Sequence, residues 1–254
     1  MSGPSANTST RAPLNKDRIL HAGVVLADEQ GIAGLSMRRL AAHLGFEVMS
    51  LYNHVANKRD LLEGMLDLIA SEVDLPDPEG VDWKDGLRRL AVTQHQMLLR
   101  HRWAGPISTD HFPGAHRWKI LETTLRLLAA GGFDGHLRDL GYHAITLHIS
   151  GFTAQQIAYD FDDDYIGEMF ARVDRELDVE AYPLMADHIR YHRDPDHTPG
   201  ERPDEFGYVL DLILDGLDRA RTADVTSPAR RAQRDEPSAM SPARRDTRRR
   251  GGAG

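Results

Sequence analysis

Tyr52, His54 and Lys58, three side chains within seven residues, are of the types that hold phosphate oxygens. A phenol and an imidazole each donate a hydrogen bond, and an ammonium adds a full charge. Lys58 also falls where a helix is expected to start, beside backbone N–H groups that favour an anion. Groups of this kind fix the position of a nucleic-acid backbone and carry no base sequence information.

The elements that must present these groups lie mostly upstream. Ser36 can accept a hydrogen bond from a free N–H at a helix start, and Met37, Leu40, Ala41 and Leu44 follow the i, i+3, i+4, i+7 spacing of one buried face. Gly45 supplies a left-handed stop. A second short segment from about Glu47 to Val55 buries Leu51 and Val55, with Phe46 packing at the turn. Two short amphipathic helices meeting at a glycine form the pattern of a helix-turn-helix. Upstream, Lys16 to Gln30 places Ile19, Ala22, Gly23 and Leu26 on one face, closed by Gly31. Downstream, a helix from about Lys58 carries Leu61, Leu62, Met65, Leu66 and Ile69; it braces the small core and leads into the rest of the chain.

The run LSMRRLAAHLG (35–45) followed by LYNHVANKRDLL (51–62) resembles the DNA-binding signature of the TetR family of transcriptional repressors. The resemblance covers roughly a quarter of the chain. It implies that Ser36 and Arg38 on the first helix, and Val48, Met49, Ser50 and Asn53 on the second, stand at the DNA. Arg38 would read guanine and the apolar pair Val48 and Met49 thymine methyls. Val48 has a second reading, in which it faces the small core. Tyr52, His54 and Lys58 keep their phosphate roles.

The formal net charge is −8. Residues 15–74 hold six Lys/Arg against nine Asp/Glu, so a uniformly basic footprint is excluded. Within 36–59 the balance reverses, with Arg38, Arg39, Lys58 and Arg59 against Glu47 alone, which makes the groove-facing edge basic and binding salt-dependent.

Cysteine is absent from the 254 residues, which excludes a disulfide framework and thiolate metal ligands. A polar N-terminus and the lack of any 18-residue apolar run point to a cytoplasmic protein with no membrane partner. No Gly-rich phosphate loop, nucleophile elbow or cysteine nucleophile occurs, so an enzyme is not expected. Among thirteen histidines, His188 and His192 have i, i+4 spacing, but Ile189 stands where a zinc-protease helix has its base. No third ligand is fixed by spacing, and neither metal nor cofactor is expected.

The chain divides into a flexible polar arm (1–14), the reading domain (15–74), a Pro/Gly-rich linker (75–82), a second helical region (83–222) and an Arg-rich tail (223–254). The tail repeats SPARR at 227–231 and 241–245 and carries eight Arg against four Asp/Glu; it is expected to be disordered. It could add phosphate attraction, as could Arg11 by reaching toward a minor groove. In 83–222, Leu87, Leu90, Ala91, Gln94 and Leu98 suggest one helix. Trp118, Leu121, Leu125 and Leu128 suggest another, ended by Gly131-Gly132, and Leu137 to Tyr159 a long third. Strand signals are nearly missing. The expected fold is all-α: a three-helix helix-turn-helix DNA-binding domain plus a larger helical ligand-binding and dimerisation domain. Phe206, Val209, Leu210, Ile213, Leu214 and Leu217 form a wide apolar stripe that, with the segment around His148 to Ala158, would build a four-helix bundle across a two-fold axis. An internal core helix is the other reading of that stripe.

This second region resembles the tetracycline-repressor-like subset of the family through LLRHRWAGPISTDHFPG, LETTLRLL, GFTAQQ and DEFGYVLDLILDGLD. That resemblance implies a pocket for a small inducer whose binding swings the linking helix and releases operator DNA. Ser108 falls where the subset has a metal-binding His, and Asp74, Leu90 and Thr124 fall near its other polar anchors, so a magnesium–tetracycline complex is not expected. An apolar or aromatic inducer is, held against Trp103, Phe112, Trp118 and Phe152 and oriented by His111, His143, His148 or Gln155. The expected function is a homodimeric, ligand-responsive regulator, most simply a repressor, on a palindromic double-stranded operator. The alternative is a constitutive dimeric DNA-binding protein with no ligand.

Overall fold

The computed structural model describes residues 13–159, 163–193 and 204–226, and among them the chain is all-helical. Helix α1 spans Lys16–Gly34, opened by Asn15, whose side chain accepts from the Arg18 N–H. Gly31 sits at φ 70° inside that span, so the regular helix stops there, as the glycine predicts. Helix α2 (Met37–Leu44) ends in a Schellman turn. Gly45 is left-handed at φ 66°, its N–H goes to the Ala42 carbonyl and that of Phe46 to the Ala41 carbonyl.

Helix α3 is shorter than the spacing suggests, Val48–Tyr52, with Glu47 before it and Asn53 after. Leu51 and Val55 are both buried, but Val55 reaches the core from outside the helix. Helix α4 (Lys58–Ala70) starts at Asn57, which accepts from the Asp60 N–H, while Asp60 accepts from the Ala56 N–H and the Lys16 ammonium. These contacts, the Ala56 N–H first, hold the Asp60 carboxyl below the usual carboxylate range, against a smaller opposing effect of burial. Two glycines let α1 and α4 approach closely. A Cβ on Gly23 would lie 2.8 Å from Met65 Sδ, and one on Gly64 2.7 Å from Leu20 Cδ2.

After the linker come α5 (Trp83–Arg100), α6 (Ala104–Ile107), a 3₁₀ turn (Ser108–Asp110), α7 (Ala115–Ala130), α8 (Gly135–Ala158), α9 (Asp163–Glu176), α10 (Pro183–Arg193) and α11 (Glu205–Thr226). Helix α4 packs on α1 at one side and on α7 and α5 at the other, so the reading head and the second region share one hydrophobic core. Helices α5, α7, α8 and α11 close the larger bundle around Leu87, Leu90, Leu127, Leu128, Ile145 and Leu210.

The wide stripe on α11 resolves mainly into internal core. Phe206, Leu210, Leu214 and Leu217 are buried within the chain, and Val209 and Ile213 half-buried. The apolar residues left outside are Tyr208 and Leu212 on α11 and Leu140 and Leu147 on α8. On α8 the large exposed apolar side chains precede His148, which is buried, while the segment from His148 to Ala158 exposes the small residues Gly151, Ala154 and Ala158. The repeated SPARR tail from residue 227 onward and Arg11 lie outside the described residues.

Candidate nucleic-acid interface and sensing region

Burial of Leu51 beneath α3 turns the opposite face of that helix to solvent. Met49 is 72% exposed and Tyr52 41%; with Asn53 they follow i, i+3, i+4 spacing on this face, and His54 is exposed beside them. Val48 stands three residues before Leu51 and packs half-buried against the core, leaving part of its side chain at the surface. Ser50 is half-buried, and the Ser36 hydroxyl accepts from the Arg39 N–H as the cap of α2.

Three of the four cations expected at this edge are already engaged. Arg39 donates to the Gly34 carbonyl at 3.0 Å and to Gln30 at 3.3 Å, and Arg59 pairs with Glu63 at 3.0 Å. Lys58 does not simply project toward solvent: its ammonium donates to the Leu35 carbonyl at 3.0 Å. Arg38 is exposed and makes no hydrogen bond or ion pair among the described residues. Its guanidinium is therefore available for a bidentate base edge without breaking an internal contact.

Helix α4 ties this head to the second region through carboxylates. Asp67 accepts from the backbone N–H groups of His116 and Arg117, at 2.9 and 3.0 Å, and pairs with the His116 ring at 3.1 Å. Glu63 accepts from the Phe112 N–H at 3.3 Å. Arg117 in turn holds the loop before α7 by donating to the carbonyls of Ser108, His111 and Phe112. Burial lowers the Arg117 pKa, opposed by Asp67 and Glu63.

The eight residues expected to line one ligand pocket do not converge. Trp103 is buried, but its indole Nε1–H donates to Asp28 of α1 at 2.7 Å, at the junction with the reading head. His111 is half-buried against the Ile107 carbonyl, while Phe112 and Trp118 form an exposed edge-on pair 5.9 Å apart. His143 and Gln155 face solvent, and His143 lies against the Asp139 carbonyl one turn back. Helical phase separates them: His143 stands two positions after Gly141 and two before Ile145, both buried.

Apart from the exposed Phe112–Trp118 pair, His148 and Phe152 meet, in a mostly buried aromatic cluster with His95 and Phe206. His95 stacks on Phe206 at 4.0 Å and 5°, His148 on Phe206 at 4.7 Å, and Phe152 stands edge-on to both His95 and Phe206. Thr153 donates its single hydroxyl proton to the Ile149 carbonyl at 2.5 Å, so the His95 Nδ1 contact to its oxygen at 2.7 Å requires Nδ1–H to donate. His148 donates from Nε2 to the Phe206 carbonyl at 3.0 Å. Burial lowers the His95 pKa, Asp204 opposes it and His148 adds to it. Reasoning from sequence passed over His95, although it continues the apolar Leu87, Ala91 face of α5 and is a histidine at a core position.

The positions aligned with the tetracycline anchors serve the fold. Ser108 donates to the Gly105 carbonyl, Asp74 pairs with Arg89, Leu90 is buried, and Thr124 donates to the Ile120 carbonyl. His188 and His192 pack edge-on at 4.5 Å, and among the described residues no group of three His, Asp or Glu side chains is arranged so that it could hold a metal ion. No helix among them is long and apolar enough to cross a membrane.

Two family models match the chain: "Tetracyclin repressor-like, C-terminal domain" over residues 75–221 and "Bacterial regulatory proteins, tetR family" over 19–65. An HTH-type transcriptional regulator of Saccharopolyspora erythraea is 37% identical over 131 residues, 51% of this chain and 56% of that protein. The class D tetracycline repressor protein of Escherichia coli is 37% identical over 144 residues, 56% of this chain and 64% of that protein. The chain thus matches less than two thirds of the length of these two relatives. Among solved structures, the Streptomyces coelicolor TetR family protein ActR in complex with actinorhodin is 27% identical with a TM-score of 0.68, covering 83% of this chain and 99% of that one.

Proposed function

Because the chain belongs to the TetR family of bacterial regulatory proteins, we propose that it is a cytoplasmic, homodimeric transcriptional repressor that leaves a palindromic operator when a small apolar or aromatic inducer binds. The observation that carries this reading is the head itself. The α2–turn–α3 unit, with α2 capped by Ser36 and stopped by Gly45, offers Met49, Tyr52 and Asn53 on one exposed face, with the uncommitted Arg38 side chain on the preceding helix. Arg38, Met49 and Asn53 read bases, while Tyr52 and His54 hold phosphates; Lys58 contributes its charge from a fixed position.

Two copies are needed to place two heads on successive half-sites. The exposed Leu140, Leu147, Tyr208 and Leu212 supply the apolar surface for pairing α8 and α11 with their counterparts. The inducer reading is supported by relatives named as tetracycline repressors and by the complex of ActR with actinorhodin. Within this chain the site centres on His148 and Phe152, joined by His95 and Phe206. The self-satisfied anchors disfavour magnesium–tetracycline itself.

One observation favours a constitutive DNA-binding dimer instead: Trp103 and His148 already hold internal partners. The two readings separate experimentally. Binding sites selected from a random duplex library with the full chain provide the operator, and planar aromatic compounds that raise the melting temperature are then added to the complex. An inducer weakens binding at least about tenfold, within the range of allosteric coupling free energies. Retention of tight operator binding in the presence of every compound that stabilises the protein supports the constitutive reading.

A further inference from the structure

A polar chain crosses the junction between head and body. His101, in the corner between α5 and α6, is 8% exposed. Its Nδ1 faces Asp28 of α1 at 2.9 Å, and its Nε2 faces Glu72, just beyond the end of α4, at 3.0 Å. Trp103 donates to the same Asp28 oxygen at 2.7 Å, and Arg100 donates to the other Glu72 oxygen at 2.8 Å. Three elements therefore meet on one imidazole: the recognition domain's first helix, the end of the linking helix, and the start of the sensing bundle.

Both ring nitrogens of His101 can donate only when the ring is an imidazolium. A neutral ring has one N–H, and its other nitrogen then aims a lone pair at a carboxylate. We propose that Asp28 and His101 are positioning residues that form a proton-dependent latch, closed when imidazolium His101 bridges Asp28 and Glu72 and opened when the proton leaves. Opening takes the donor from one of the two carboxylates, and because the Trp103 indole still holds Asp28, the junction between α1 and the body loosens without coming apart.

The charged groups around His101 are Asp28 from α1, Glu72 from the end of α4, and Arg100 and Arg102 on either side of it. Arg100 is committed to Glu72, and Arg102 donates to the Ile157 carbonyl at 3.1 Å. Burial raises the Glu72 pKa, but hydrogen bonds from Arg100 and His101 outweigh it and keep Glu72 a carboxylate. A cavity of about 350 Å³ borders the latch, lined in part by Ala27, Gly31, Ile32 and Pro106, so α1 has room to shift there. Because the latch joins elements of a single chain, this inference stands whether or not a small inducer exists.

Amide hydrogen exchange of Leu26 to Gln30 in the full chain, corrected for intrinsic exchange, tests it between about pH 6 and about pH 8.5, spanning the imidazole range. Wild-type protection falls about tenfold at the higher pH, the loss expected for one charge-assisted hydrogen bond. His101→Gln gives the low protection at both pH values, and His101→Arg, charged throughout, restores high protection at both. Trp103→Phe removes one hydrogen bond to Asp28 but preserves the pH response, which separates the latch from general loosening. The proposal is overturned if wild type and His101→Gln share one pH dependence, or if Arg and Gln at this position behave alike.

Discussion

Asp67 accepts the backbone N–H of His116 at 2.9 Å, so a side chain of helix α4 caps helix α7 of the larger bundle. The residue at the cap position of α7 is Gly114, which has no side chain to cap with, and the Asp67 carboxylate lies against its Cα. Movement of α4 therefore cannot occur without disturbing the start of α7.

Asp67→Ala leaves the His116 and Arg117 N–H groups without this acceptor, and the expected cost is about 0.5–2 kcal/mol of stability. Asp67→Asn keeps one oxygen acceptor and costs less. Urea unfolding followed by circular dichroism measures both; equal stability of Asp67→Ala and wild type would remove the cap from the account.

Arg38→Ala is expected to weaken a selected operator by about 1–3 kcal/mol and to relax preference at one base pair of each half-site. Tyr52→Phe weakens selected and scrambled duplexes alike, since a phosphate contact is blind to sequence. Fluorescence anisotropy on both duplexes distinguishes these patterns, and a uniform loss with Arg38→Ala would move that residue from reading bases to positioning.

The reading head was legible because its signals are local. The Ser36 cap, the Gly45 stop and the apolar spacing of α2 each reside within one turn of their effect, and all three recur in the structure. The grouping of the candidate ligand residues was less legible, because helical phase and long-range contacts decide it: His143 looks outward, Trp103 turns to α1, and His95 joins the His148 cluster from 53 positions away. The stripe on α11 was correctly read as apolar, but periodicity could not assign its faces. Helix α8 and helix α5 claim one side and leave Tyr208 and Leu212 on the other.

Acid should weaken the bundle through His95. Its folded pKa lies below the ordinary 6.5, so the unfolded chain takes up the proton first. The contribution of a neutral His95 is complete above that value and is lost as the pH falls from it toward the folded pKa. His95→Phe keeps a ring against Phe206 and removes the titration, so its melting temperature should fall less than that of wild type between about pH 7.5 and about pH 5.5. An identical acid response in the two proteins would contradict this assignment.

Leu147→Glu combined with Leu212→Glu puts charge on the free faces of α8 and α11, and the expected product is a folded monomer. Sedimentation velocity reads the mass and circular dichroism the helicity. A double variant that still sediments as a dimer would place the self-association surface elsewhere.

Two copies of this chain are proposed to read a two-fold symmetric DNA site. This is tested most directly by selecting duplexes from a random library with the purified full chain and sequencing them. The expected product is an enriched inverted repeat with half-site centres about one helical turn apart, or a small multiple of it, bound at least about a thousandfold more tightly than scrambled duplex. Enrichment of no symmetric site, with equal affinity for scrambled DNA, would contradict it.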